Sequence, residues 1–129
     1  MKRSPKQAVP YSSSWTKKRV PPRRGEIWLF DLGMTAKTRP VLVVSVDYGD
    51  ADRAIVTVVP HTTELRKSQF EIPVNAPFLR PGAFLVQGVS TYPKAWAIRK
   101  LGILQPAQMQ AVTTGLAAWL GLRHNEEAD

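Results

Sequence analysis

Cysteine is absent from the 129-residue chain, which excludes a disulfide framework and a thiolate metal site. The absence fits a reducing compartment without requiring one. Long apolar runs are also missing. No stretch approaches the ~20 apolar residues of a membrane-spanning helix, and the first residues lack the continuous apolar segment of a signal peptide. Acidic residues are missing from residues 1–24, which hold Lys2, Arg3, Lys6, Lys17, Lys18, Arg19, Arg23 and Arg24. The formal charge of +8 is therefore local, because the other ten Lys/Arg balance the ten Asp/Glu. High basicity is a property of the leader, not a nucleic-acid footprint of the body. No glycine-rich phosphate loop is present, which argues against nucleotide hydrolysis. No His/Asp/Glu group has metal-ligand spacing, so no cofactor is expected. The size suits one domain, and a cytoplasmic protein without membrane contact is the expectation.

What is there divides into three parts. Residues 1–24 are rich in Lys/Arg, Ser and Pro without apolar periodicity, which predicts a flexible arm. It is either a solubilising tail or an arm that holds phosphates, and Tyr11 and Trp15 are its candidates for docking. Residues 25–122 form the body, and 123–129 a polar tail. In the body, Glu26–Leu32 reads as a strand and Gly33–Thr38 as a loop. Arg39–Val46 is apolar at nearly every position, as a strand covered on both faces inside a closed barrel would be. Arg53–Val59 predicts a third strand that Pro60 ends, since proline cannot donate to a ladder. Strands are further predicted over 69–74, 83–89 and 98–104, with a Pro/Gly turn over 76–82. One helix is expected from Pro106, which suits a first helical position. Met109, Val112, Leu116, Trp119 and Leu120 then recur at three- and four-residue steps, and Gly121 is a suitable stop. The fold class is thus mainly β: a small barrel of five to six strands with a C-terminal helix.

The candidate chemistry gathers at strand ends. Arg39 opens the second strand, and His61, Thr62 and Thr63 follow the third. A guanidinium fork can hold two oxygens of a phosphodiester and is always charged. A threonine hydroxyl can donate to the same oxygens as they gain charge. An imidazole exchanges protons near neutral pH, whereas arginine is a poor base there. Plainer readings compete. Arg39 can pair with Glu26 or Asp31, Thr62 and Thr63 can cap a turn, and His61 can fill the loop beside Pro60, because strand alternation points it away from Thr62.

Three segments carry a resemblance: Arg24–Leu32, Thr38–Ser45 and Val59–Thr63. In order and spacing they resemble the Gly-acid-aromatic strand, the Arg-Pro strand and the Pro-x-Thr element of the MazF/PemK toxins of bacterial toxin–antitoxin systems. The resemblance spans roughly residues 23–122. It implies an SH3-like barrel and a metal-independent endoribonuclease that cleaves single-stranded RNA to 2′,3′-cyclic phosphate and 5′-hydroxyl ends. Arg39 and Thr62 then map onto the catalytic pair, with His61 a candidate proton carrier. Lys37, Thr63, Gln87, Trp96 and Arg99 are candidate RNA contacts. A homodimer and a cognate antitoxin are implied as well. Two departures stand out: the first loop is short, and Gln87-Gly88 replaces an acid-Gln pair. These keep open a non-catalytic nucleic-acid-binding module. A gyrase-poison-like toxin is a further alternative, resting on Trp119 near the end of the helix.

Overall fold

The computed structural model describes residues 21–33 and 37–122. The expected arm up to residue 20, with Tyr11 and Trp15, and the tail from 123 lie outside the described residues. Seven strands are present among the described residues: β1 Glu26–Asp31, β2 Thr38–Val43, β3 Ile55–Thr62, β4 Glu71–Pro73, β5 Ala83–Leu85, β6 Ser90–Pro93 and β7 Ala97–Ile103. A helix, α1, follows over Pro106–Leu120. The antiparallel path runs β4-β5-β3-β2-β1-β7, with β6 also on β3. The sheet is not closed, since β4 and β7 end the path without pairing.

Alternation along β2 explains its near-continuous apolar sequence. Val41 and Val43 join Phe30, Val56 and Val58 on one face, while Leu42 and Val44 join Ile27, Val59, Phe84 and Val112 on the other. Both faces of the strand are buried, as its sequence predicts, but by curvature of an open sheet and by α1. The helix brings Val112 fully into the second cluster. Its start is tied by the Gln105–Gln108 capping box and by Pro106 in the first turn. Its end is tied by Gly121 at φ 71° and by the Leu122 N–H donating to the Ala117 carbonyl at 2.8 Å. Trp119 lies edge-on to Phe70 with ring centroids 5.2 Å apart, so its indole is partly engaged within the chain.

Two strand boundaries differ from expectation for visible reasons. The third strand does not stop at Pro60; it runs on through His61 to Thr62. β6 pairs with β3 from Ile55 to Val58, and β5 pairs with it at His61 and Thr62. Pro60 falls in the handover between these partners, where its missing N–H breaks no ladder bond. The single strand expected over 83–89 is instead β5, a 3-10 turn over Val86–Gly88, and the separate β6. Gly88 permits the redirection: a Cβ there would lie 2.8 Å from Pro60 Cγ. Arg23 and Arg24, on the arm side of the expected boundary, are tied to the body. Arg23 pairs with Asp47 at 2.8 Å. The Arg24 guanidinium donates to the Val44 carbonyl and to Thr113 Oγ1 of α1.

Candidate active site

Strand register sets the site. β2 and β3 pair Val41 with Pro60, Leu42 with Val59 and Val43 with Val58. Beyond the Val41–Pro60 pair, Arg39 and Pro40 belong to β2 and His61 and Thr62 to β3, so all four lie at one end of the sheet. β1 pairs Phe30 with Arg39 and Leu29 with Pro40, and β7 adds Arg99 opposite Leu29. At this end of the sheet a cavity of about 650 Å³ opens, lined by residues that include Arg39, His61, Thr62, Thr63 and Arg99.

The acids expected to compete for Arg39 are engaged elsewhere. Glu26 accepts from Trp28 Nε1 at 2.8 Å, from the Arg23 backbone N–H at 2.9 Å and from Lys100 Nζ at 3.1 Å. Burial would raise its carboxyl, but these donors together hold it below the ordinary carboxylate value. Asp31 accepts from the Gly33 N–H at 3.1 Å. Arg39 lines the cavity and makes no ion pair among the described residues. Thr62 Oγ1 accepts the Glu64 N–H at 3.1 Å. The turn-capping role is therefore real, and it orients the hydroxyl while leaving its proton free to donate.

His61 is 5% exposed and sits edge-on to Phe84, with ring centroids 5.3 Å apart. Burial pushes the imidazole below its ordinary value, so it is neutral at pH 7. Its Nε2 is buried without a hydrogen-bond partner among the described residues. Gly82 backs the ring closely. A Cβ there would lie 2.9 Å from His61 Cε1 and 2.2 Å from the Thr62 carbonyl oxygen, so only glycine lets the two strands meet at this point.

Not all candidates converge. Lys37 is exposed at φ 58°, and its N–H closes the loop on the Gly33 carbonyl at 2.9 Å. Gln87 is exposed in the 3-10 turn. Trp96 stacks on Tyr92 at 5.1 Å and lines a separate hollow with Asp31 and Gly33. None of these three lines the cavity. Three lining residues that sequence reasoning passed over are Glu64, Arg80 and Phe78. Glu64 directly follows the His61-Thr62-Thr63 run, a signal that was there to read. Phe78 and Arg80 lie in a Pro/Gly segment whose only evident message is a turn. Among the described residues, no three His, Cys, Asp or Glu side chains gather as a metal would require. Among them too, no helix is long and apolar enough to cross a membrane.

An arginine and a threonine hydroxyl at one cavity, on a small open antiparallel sheet followed by a helix, define the architecture. A sequence model of the PemK-like, MazF-like toxin of type II toxin–antitoxin systems matches residues 23–120, and the chain belongs to that family. An endoribonuclease solved in complex with its cognate antitoxin, from a mycobacterial species, superposes with a TM-score of 0.70 at 29% identity, covering 80% of this chain and 98% of the other. Mycobacterium tuberculosis toxin MazF-mt6 superposes at 0.66 and 27% identity, covering 77% and 99%. A MazE-MazF structure from Deinococcus radiodurans shares the fold, at 0.68 and 20% identity over 80% and 98% of the chains.

Proposed function

We propose that this chain is an endoribonuclease toxin that cuts single-stranded RNA in the cytoplasm without a metal, leaving 2′,3′-cyclic phosphate and 5′-hydroxyl ends. The observation that carries the reading is that Arg39, at the start of β2, and Thr62, at the end of β3, line one open cavity. Attack of the 2′-hydroxyl on phosphorus builds a pentacoordinate phosphorane. The Arg39 fork meets its equatorial oxygens, and the Thr62 hydroxyl donates to one of them. The Arg39 cation also offers a proton to the departing 5′-oxygen.

The 2′-hydroxyl proton needs an acceptor, and two lining residues carry groups of the right kind: the His61 imidazole and the Glu64 carboxyl. We assign it to His61, which burial keeps unprotonated; the exposed carboxylate of Glu64, whose own N–H meets Thr62 Oγ1, gives the second reading. The acid limb of kcat/KM separates them. With His61 as acceptor, the limb falls below about pH 6.5 and vanishes in His61→Gln. With Glu64 as acceptor, His61→Gln keeps cutting and Glu64→Gln loses it. Thr63 and Arg99 contact the bound strand from the cavity, and Lys37, Gln87 and Trp96 meet it beyond. A homodimer and an antitoxin that occupies the cavity complete the proposal, supported by the family and by the relative solved with its antitoxin.

The test is cleavage of a long single-stranded RNA in EDTA by the wild type, Arg39→Ala and Arg39→Lys, with product ends mapped. Cuts with 5′-hydroxyl ends, lost by at least 100-fold in Arg39→Ala and poorly restored by lysine, are expected. RNA retarded in a gel but left intact by the wild type would make the chain a binding module instead.

A further inference from the structure

Beyond Arg39, His61 and Thr62, the cavity lining has a further group with a composition of its own. Phe78, Arg80 and Arg99 line it together with Leu29 and Leu101. The Phe78 ring rests on the backbone of β7: a Cβ at Gly102 would lie 2.5 Å from Phe78 Cε2 and Cζ. The ring nevertheless remains 36% exposed, so it is a flat apolar surface fixed from behind. Leu29 and Leu101 lie half-buried beside it. The register sets Arg99 directly opposite Leu29, one strand from Pro40. Neither Arg80 nor Arg99 makes an ion pair among the described residues, and Glu64 is the one carboxylate among the lining residues. A rigid aromatic face beside two uncommitted guanidiniums meets the two chemical parts of a nucleotide, its base and its phosphate.

We infer that Phe78, Arg80 and Arg99 form a nucleotide subsite next to the scissile bond: Phe78 stacks a splayed-out base, and the two arginines hold the adjoining phosphate. The inference rests on the ribonuclease reading and extends it. Binding energy gathered here, away from the reacting centre, orients the 2′-hydroxyl for in-line attack beside Arg39. The subsite selects single strands, because a base held in a duplex is not free to stack on protein. Stacking tolerates every base, so this subsite adds affinity without adding sequence preference.

The test measures affinity for a 2′-O-methyl oligonucleotide that spans a mapped cut site and lacks the nucleophile, as a function of salt. Each phosphate contact in a single strand contributes about 0.7 to the slope of log affinity against log salt. Arg80→Gln with Arg99→Gln, which together release that one phosphate, therefore lowers the slope by about 0.7. Phe78→Leu weakens binding roughly tenfold and leaves the slope unchanged. For cleavable RNA, Arg80→Gln raises KM and keeps most of kcat. Arg80 is exposed and makes no ion pair among the described residues, so its variant reads binding rather than folding. Cutting retained with unchanged affinity and slope in both variants overturns the subsite and leaves the ribonuclease standing. Absence of any Arg39-dependent cutting overturns both.

Discussion

At the scale of single residues, His61 carries the sharpest consequence. Its folded-state value is lowered by burial, so the unfolded chain takes up the proton first as the pH falls. Stability is therefore complete above the ordinary value of 6.5 and is lost progressively below it. Glu26 works on a lower window, because its own depressed value stabilises the fold above 4.5 and is lost as the pH drops further. Thermal melts at pH 7.5 and 5.5 are expected to show a lower Tm at the acid point, with the difference much reduced in His61→Leu. His124 is the only other histidine, so few groups share that window. Arg39, Thr62 and His61 were legible in the sequence because each stands at the end of an apolar run. Which face each would take was not. That depends on β3 staying extended past Pro60, and on partners that arrive from twenty or more residues away.

Among the elements, α1 and the β3–β5 junction respond differently to substitution. The helix was readable from end to end, since periodicity, Pro106 and Gly121 are local signals. Gly121 sits at φ 71°, a conformation that costs an L side chain about 1 kcal/mol. Gly121→Ala is expected to destabilise by about that amount in urea unfolding, with activity kept. Gly82→Ala meets the Thr62 carbonyl at 2.2 Å, where backbone has to move. It is expected to lower stability by several kcal/mol or to displace Thr62, seen as lost cleavage. The separate β6 and the turn before it were not readable, because the cause is a contact between Gly88 and Pro60 that no local pattern announces. Barrel closure was read from the apolar run of β2, but burial on both faces arises equally when a curved open sheet is covered by a helix.

For the whole molecule, the exposed apolar side chains matter most. Ile103, Trp119, Leu120 and Leu122 are each 41% exposed or more, a quantity of apolar surface that favours association. A homodimer is expected by sedimentation at micromolar concentration. Mixing with the antitoxin is expected to suppress cleavage without adding metal or nucleotide. The family could be read from three short segments because they hold the local chemistry of the site. The further group in the cavity lining could not, because Phe78, Arg80 and Arg99 become neighbours only through β7 lying against β1.

That last pairing also sets a timetable. Among the described residues β1 is the first strand, and its partner β7 ends at Ile103, so one edge of β1 waits while most of the body is synthesised. Cavity residues run from Leu29 to Leu101, and none of the shorter nascent chains holds them all. The cavity wall is therefore complete only once β7 has been made and has docked on β1.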